Sequence, residues 1–448
     1  MRKSSIAAAA LCLSVVGGCS NFLDAPKAVN DPNNPTQAST NQLFEGVLAN
    51  TFGNEEGPVA MIICQWMQQC AGVNGRFVET QGNYTIDAST FDVSFQNVYN
   101  GGGLIGLRTI EANSIAAGDK LYLGIAEVLE AMNMMYAADI WGDIPYSQAV
   151  GTNTTPSFDP QMTVYTSLLT LLDKAITDLG GGGTGPGAAD LVYGGKASQW
   201  IEAAHTLKAR IYLHQVEKLG VAQYTSALTE AKKGISSPAN DWLSQHSSNT
   251  SERNMWAQFA NTSFGPDLVA GAGLVKIMLA QNDPRIGNYF QKNSAGAYVG
   301  FDVATATPDV ATISALATND TYRQPIITYD ETQLIIAEAA FQTGDKTTAA
   351  TAFNAERTHV GKSSIASGAL TLNDIMTEKY ITLFENPEAW NDYKRTCLPA
   401  LAPARGRSRI PGRLYYGQTE EQTNSNTPAS ATQNLFTYRN TNDPNACQ

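Results

Sequence analysis

Two pairs of carboxylates in this sequence stand about one helical turn apart. They are Asp139 with Asp143 and Glu385 with Glu388. Glycoside hydrolases use two carboxyl groups roughly 5 to 9.5 Å apart, so a surface glycoside hydrolase is one interpretation. The same spacing is common on solvated helix faces. The sequence contains no GxSxG elbow and no phosphate-binding GxxxxGKS loop to sharpen the catalytic interpretation.

The N-terminus has the features of a secretory leader. Arg2 and Lys3 precede an apolar run over residues 6–16, which is too short for a transmembrane helix of roughly 20 residues. The run ends in Val16-Gly17-Gly18-Cys19, an arrangement typical of a bacterial lipobox. We predict that residues 1–18 are a lipoprotein signal peptide and that Cys19 carries acyl chains that anchor the protein to a membrane. The alternative is ordinary secretion with Cys19 as an incidental thiol.

The other cysteines favour disulfides over metal binding. Of six cysteines, Cys12 leaves with the leader, and four remain besides Cys19: Cys64, Cys70, Cys397 and Cys447. An even number in an oxidising compartment allows three pairings, of which we favour Cys64 with Cys70 and Cys397 with Cys447. No CxxC motif occurs, and the histidines show no HExxH spacing: His205, His214, His246 and His359. We therefore predict no metal site and no cofactor.

The charge and composition narrow the class of protein. The net charge is −12, and losing Arg2 and Lys3 with the leader makes it two units more negative. Nucleic-acid binding requires a basic surface, so that class is excluded. No Ser/Gly-rich linker divides the chain, which predicts one domain over residues 19–448. The glycine-rich stretch at 180–187 predicts a flexible surface connection between helices.

Apolar residues recur with helical spacing through much of the chain. Helices are predicted over residues 121–141, 164–179, 198–220, 224–235, 331–342, 347–360 and 371–385. Gly142 is expected to provide a left-handed C-cap for the first of them, and Pro145 prevents its continuation. Small and apolar residues at 334–353 match the positions of a tetratricopeptide-like hairpin. The predicted fold class is mainly α, with such hairpins as the scaffold.

Between the helices lie four long segments rich in Asn, Ser, Thr and Gly, at residues 72–103, 236–262, 282–323 and 398–448. Loops this long are uncommon unless they have a function, so we predict that they form the ligand-facing surface.

The segment Asp139–Ala149 closely resembles the characteristic motif of SusD/RagB-like proteins. Six of its residues carry that likeness: Asp139, Trp141, Gly142, Asp143, Pro145 and Tyr146. Further pieces agree in order, at residues 19–26, 156–165, 190–195, 282–285, 328–339 and 386–395. The motif itself is predicted to be structural, with Trp141 and Ile144 buried and with Asp139 and Asp143 capping backbone donors at the turn.

The resemblance implies a non-enzymatic lipoprotein on the outer face of the outer membrane. Such a protein binds a glycan or peptide and delivers it to a SusC-like TonB-dependent transporter. The chain departs from the family pattern in the Cys397 and Cys447 pair and in lacking an acidic run after Cys19. An adhesin or scaffold without a small ligand is a further alternative.

A glycan receptor requires exposed aromatic rings flanked by polar side chains. The loops offer eight candidate ligand-binding residues: Asn74, Arg76, Phe77, Tyr84, Trp242, Trp256, Tyr298 and Tyr322. The alternative is that these aromatic rings pack the loops onto the helices, because large rings are usually buried.

Overall fold

The computed structural model describes residues 38–302, 305–436 and 439–444, and most of them lie in α-helices. This confirms the predicted mainly α fold class. The predicted signal peptide, Cys19 and Cys447 lie outside the described residues. Within the described part of the chain, no helix is both long enough and apolar enough to span a bilayer.

The helices are numbered here in chain order. The first nine are α1 (Thr40–Glu56), α2 (Pro58–Trp66), α3 (Asp92–Tyr99), α4 (Leu104–Ala117), α5 (Lys120–Trp141), α6 (Gln161–Leu179), α7 (Ala197–His214), α8 (Val216–Leu219) and α9 (Ala222–Ala231). The remainder are α10 (Met255–Ala260), α11 (Ala272–Ala280), α12 (Ile286–Tyr289), α13 (Tyr329–Gln342), α14 (Lys346–His359), α15 (Leu372–Thr382), α16 (Glu388–Thr396) and α17 (Gln418–Thr423).

Successive helices pack as hairpins that stack on one another. Helix α5 packs on α6, α7 on α9, and α13 on α14, while α6–α7 and α9–α13 contacts join one hairpin to the next. Each hairpin therefore buries its apolar face against its neighbour, as in tetratricopeptide-like arrays. A large core spans α1 to α7, and a second, alanine-rich core lies among α7, α9, α13, α14 and α15.

Six of the seven predicted helices are present with small shifts at their ends, and the third is divided at residue 215 into α7 and α8, whereas α1 to α4, α10 to α12, α16 and α17 were not predicted. Helix α2 is apolar on every side and buried after Pro58, so it lacks the polar stripe that reveals helical periodicity. Helix α16 was missed for the opposite reason, because its charged residues are buried. Sequence patterns assign such residues to solvent.

Helix α5 ends at the predicted glycine, but in a different conformation. Gly142 has φ +83° and ψ −117°, which is positive in φ without being left-handed helical as predicted. A Cβ atom there would lie 2.6 Å from Asn440 Oδ1. Glycine is required at this position because the C-terminal tail packs directly on the end of α5.

The glycine-rich connection after α6 is more constrained than predicted. The Asp119 carboxylate accepts hydrogen bonds from the backbone N–H groups of Thr184 (3.1 Å) and Gly185 (3.0 Å). The same carboxylate caps α5 through the N–H of Tyr122. One side chain thus ties this loop to the start of the longest helix.

Short antiparallel ladders hold the loop segments onto the helices. The strands are β1 (Cys70–Gly72), β2 (Ile144–Pro145), β3 (Phe158–Asp159), β4 (Trp242–Leu243), β5 (Leu268–Ala270), β6 (Phe290–Gln291), β7 (Thr312–Ile313) and β8 (Pro325–Ile327), paired β1–β5, β2–β3, β4–β8 and β6–β7. The four predicted loop segments are therefore not fully irregular, since each contains a short helix or strand.

The predicted disulfide between Cys64 and Cys70 is confirmed, with 5.3 Å between the two Cα atoms. It joins α2 to β1, so the chain turns back within six residues. The predicted partner of Cys397, Cys447, lies outside the described residues, and that pairing stays a prediction.

We expect Gly124→Ala to destabilise the protein, because its Cβ atom would lie 2.7 Å from Leu179 N and 2.9 Å from Ala175 O on α6. Overpacking of this kind costs about 1–3 kcal/mol. The matched control is Gly46→Ala on α1, where no atom lies within 4 Å of the added carbon. Higher helix propensity should stabilise that variant by up to about 1 kcal/mol. Urea unfolding measures both, and an unchanged midpoint for Gly124→Ala would contradict close α5–α6 packing.

Candidate functional site

Three of the four predicted ligand-facing segments meet around one cleft, which has a volume of about 300 Å³. We call it the ligand cleft. It is lined by Gln65, Gln68, residues 70–72, Gly82, Tyr84, residues 271–273, Lys276, Ile277, Phe301, Asp302 and residues 400–404. The volume lies at the lower end of the range typical of small-molecule sites.

The walls of the ligand cleft are built by close backbone packing. Strand β1 pairs with β5, placing Cys70 opposite Ala270 and Gly72 opposite Leu268. A Cβ atom at Gly271 would lie 2.3 Å from Gln68 O. Only glycine permits that approach. The Cys64–Cys70 disulfide fixes the same end of this wall, since Cys70 is opposite Ala270.

Tyr84 is the one sequence-predicted ligand residue that lines the ligand cleft. Its ring packs edge-on against Trp66, with 5.6 Å between ring centroids. Its hydroxyl accepts a hydrogen bond of 2.9 Å from Ala404 N, and burial raises the pKa of Tyr84 to about 12. The phenol is therefore neutral at physiological pH and keeps its own hydrogen for donation.

Polar side chains of different hydrogen-bonding character also line the cleft. Gln65 is 6% exposed, and among the described residues its Oε1 atom has no hydrogen-bond partner. At the rim, Lys276 Nζ lies 3.1 Å from Asp302 Oδ2. An unpaired buried acceptor is costly, but this oxygen is itself buried, so the Gln65 side chain contributes to the lining of the cleft without presenting Oε1 at its surface.

The apolar part of the lining comes from Ile277, Phe301, Leu401 and Pro403. An apolar wall with separate donors and acceptors suits a ring that has C–H faces and polar edges. The ligand cleft can therefore bind a neutral, hydroxyl-rich ligand by stacking and hydrogen bonds together.

Two further predicted residues form an exposed ridge on the same loop. Asn74 and Arg76 are exposed, and the Arg76 guanidinium lies 4.9 Å from the ring centroid of Phe77 and 5.2 Å from that of Phe264. Phe77 itself is 3% exposed, whereas Phe264 is 49% exposed. Phe264 thus presents the aromatic surface in this ridge, and Phe77 supports it from below.

The expectation that Trp242 and Trp256 are exposed is wrong. They are 0% and 1% exposed. Trp242 lies in β4 and packs edge-on against Trp200 at 5.0 Å, while Trp256 lies in the first turn of α10. Burial of such large apolar rings outweighs their value as loop platforms.

The predicted residues Tyr298 and Tyr322 are half-buried, and neither lines the ligand cleft. Lys292 Nζ lies 5.3 Å from the centroid of the Tyr298 ring. Burial raises the pKa of Tyr322, with the carboxylate of Glu385 adding to the effect. Sequence composition placed both residues on loops correctly but could not show which wall each loop forms.

In the Asp139–Ala149 motif, the two residues expected to be buried lie in the core. Trp141 and Ile144 are fully buried, and Trp141 Nε1 donates to Tyr415 O at 2.9 Å. Asp143 Oδ1 accepts from the backbone N–H of Gln161 at 2.8 Å, so it caps α6 as predicted. Asp139 does not cap backbone donors, because side chains surround its carboxylate.

Asp139, His214 and Glu388 form a buried triad. His214 Nδ1 lies 3.0 Å from Asp139 Oδ1, and His214 Nε2 lies 2.7 Å from Glu388 Oε1. Burial by itself would lower the pKa of His214. The two neighbouring carboxylates outweigh that effect and raise the pKa to about 10. The triad is therefore an imidazolium between two carboxylates.

These three residues are also the ones that could hold a metal ion, since their ligand atoms lie within 4.8 Å of one another. However, each ring nitrogen faces a different carboxylate at hydrogen-bond distance. If His214 bound a metal ion, one of its ring nitrogens and both carboxylates would all bind that same ion. The observed geometry fits charge pairing.

The carboxylate pairs considered as catalytic do not line the ligand cleft. Asp139 and Glu388 face His214, and Asp143 caps α6. Glu385 is 1% exposed, and burial, followed by the charge of Glu56, raises its pKa well above the usual value.

A profile of the SusD-like family described as starch-binding and associating with the outer membrane matches residues 32–417. The chain therefore belongs to the SusD-like family. No curated protein matches the chain.

Solved structures share the fold. A chitin-binding SusD homologue from Flavobacterium johnsoniae is 20% identical, with a TM-score of 0.75 over 90% of this chain and 99% of that one. A SusD/RagB family protein from Bacteroides thetaiotaomicron is 22% identical, with a TM-score of 0.72 over 87% of this chain and 95% of that one. A SusD homologue from Bacteroides uniformis is 17% identical, with a TM-score of 0.75 over the same shares as the first.

We expect His214→Gln to destabilise the protein by about 3–5 kcal/mol near pH 6, since it leaves two buried carboxylates without their cation. The folded pKa of His214, about 10, lies above the unfolded value of roughly 6.5. Its contribution is thus complete below pH ~6.5 and is lost as the pH rises towards 10. The measurement is denaturant unfolding of both proteins between pH 6 and 10.

His359→Gln is the matched control, because His359 also pairs with a carboxylate, Asp330, at 2.7 Å but is 44% exposed. Exposed pairs contribute about 0–1 kcal/mol. A destabilisation by His214→Gln that is equal at pH 6 and pH 10 would mean that His214 is neutral in the folded state.

Proposed function

We propose that this protein captures a neutral oligosaccharide at the cell surface and holds it without cleaving it. The observation that carries the proposal is the ligand cleft, where Gln65 and Tyr84 line one cavity together with an apolar wall. Family membership supports it, since the family is described as starch-binding. So does the name of one structural neighbour, a chitin-binding SusD homologue.

Binding without catalysis agrees with the chemistry of the carboxylates. Asp139, Glu385 and Glu388 are buried, and Asp143 caps a helix, so these pairs do not reach a ligand in the cleft. At the cleft rim the carboxylate of Asp302 lies beside Lys276, which holds it as half of an ion pair. A glycosidase would require two carboxyl groups on either side of the scissile bond.

The ridge formed by Asn74, Arg76 and Phe264 extends the proposed ligand surface beyond the cleft. Exposed aromatic faces stack on sugar rings, and an amide and a guanidinium supply hydrogen bonds at the ring edges. We assign no ligand contact to Trp242 or Trp256, because neither ring reaches the surface.

We further propose that acyl chains on Cys19 anchor residues 19–448 as one domain to the outer membrane, facing the exterior. There the protein would deliver its ligand to a SusC-like TonB-dependent transporter. Support comes from the lipobox Val16-Gly17-Gly18-Cys19 and from the family description, which places its members at the outer membrane.

We expect Ala402→Trp to weaken binding of chitohexaose or maltohexaose by at least about tenfold, equivalent to roughly 1.4 kcal/mol. Ala402 is exposed and lines the ligand cleft, so an indole there would fill the space a sugar needs. Isothermal titration calorimetry of the detergent-solubilised protein measures the affinity. The matched control is Ala112→Trp on α4, at an exposed position that does not line the ligand cleft. Equal weakening by both variants would contradict the site.

In the native host, Cys19→Ala should remove the protein from the outer-membrane fraction, because the acyl chains supply the affinity for that membrane. Affinity purification of the wild-type protein from detergent extracts should bring down a large barrel transporter. Mass spectrometry identifies both the acylated Cys19 peptide and the partner. A wild-type protein with a bare Cys19 would contradict the anchor, and purification without any barrel would contradict the partner.

A further inference from the structure

A second cavity, with a volume of about 510 Å³, runs along α1 and shares no residue with the ligand cleft. We call it the α1 groove. Its sides are formed by Glu45, Ala49 and Phe52 of α1, by Leu191, and by residues of the 245–258 segment. That segment lies in the one predicted ligand-facing loop that does not contribute to the ligand cleft.

The floor of the α1 groove is apolar and held in place from behind. Phe52 and His246 pack with their ring centroids 6.1 Å apart. His246 Nε2 lies 2.9 Å from Glu56 Oε1 and 2.9 Å from Ser244 Oγ, and both of these partners are fully buried. Because buried partners lock the imidazole, the floor is preorganised.

The charged groups along the 245–258 side of the groove already have partners within the protein. The Glu252 carboxylate accepts hydrogen bonds from Ser247 Oγ at 2.5 Å and Asn249 Nδ2 at 3.1 Å. Arg253 Nε lies 3.2 Å from Asp320 Oδ2. The charge of Arg253 is therefore paired, whereas Glu252 stays negative because its partners are neutral, and the groove disfavours anionic ligands.

The two glutamines of the rim use amide N–H groups within the protein. Gln245 and Gln258 donate from their Nε2 atoms to the carbonyl oxygens of His246 (3.3 Å) and Arg253 (2.7 Å). Each side chain keeps its own carbonyl oxygen as a hydrogen-bond acceptor. The exposed carboxylate of Glu45 adds a third acceptor and repels phosphate or acidic sugars.

We propose that the α1 groove is a second, independent binding site for a neutral oligosaccharide. Hydroxyl donors on the sugar meet the acceptors on the rim, and the apolar ring face meets the floor of Phe52, His246 and the half-exposed Leu191. This inference rests on the proposed function, because the ligand class is the same, but it concerns a different surface.

The experiment is calorimetric titration of the detergent-solubilised protein with chitohexaose and with maltohexaose. The wild-type protein should bind two molecules of the accepted sugar. Ala49→Trp places an indole on the exposed groove side of α1, and should reduce the stoichiometry to one without changing the affinity of the remaining site. Ala402→Trp should remove the other site, the double variant should bind neither, and Ala112→Trp should retain both.

The outcomes separate the two proposals. A single wild-type site, lost in Ala402→Trp and unchanged in Ala49→Trp, overturns the groove site while the proposed function stands. A single site sensitive only to Ala49→Trp supports the groove site and overturns the ligand cleft. If neither sugar binds, but an acetylated and amidated tetra-alanine binds and is blocked by Ala49→Trp, the groove is a peptide site and the oligosaccharide inference is wrong.

Discussion

A protonated histidine between two buried carboxylates is the interaction around which this fold is arranged. His214 lies at the end of α7, Asp139 near the end of α5, and Glu388 at the start of α16. A buried ion pair adds little net stability relative to apolar packing, but a missing partner leaves an uncompensated charge. The three helices therefore have one permitted register. Asn440 completes the site by donating to Asp139 O at 2.9 Å, so the C-terminal tail is held there as well.

A row of aromatic rings connects these helices to the ligand cleft. Trp390 of α16 packs edge-on against Trp66 of α2 at 5.6 Å, and Trp66 packs in the same way against Tyr84 at 5.6 Å. The Tyr380 hydroxyl donates to Met67 O at 2.6 Å, which ties α15 to the same corner. The position of the cleft tyrosine thus depends on helices far from it in sequence. A preorganised site of this kind loses less conformational entropy when a ligand binds.

The two cavities lie among different loops of the helical scaffold. Loops around the ligand cleft are joined by the β1–β5 ladder and a disulfide. In the α1 groove, the buried carboxylate of Glu56 instead holds His246 in place through a hydrogen bond. Both cavities combine an apolar surface with hydrogen-bonding side chains. Charged side chains also lie at each rim, where Lys276 pairs with Asp302 in the ligand cleft and Arg253 pairs with Asp320 beside the α1 groove.

The sequence by itself determined the helical scaffold, the order of the family motif, the Cys64–Cys70 pair and the position of Tyr84 in a loop-rich segment, because these follow from local spacing and residue type. Only the tertiary structure decided which aromatic rings are exposed: Trp242 and Trp256 are core residues, and Phe264 is the exposed ring. It also decided that the charged residues of α16 are buried. The reason is physical, since burial and charge pairing depend on neighbours far apart in the chain, and a local pattern contains no record of those neighbours.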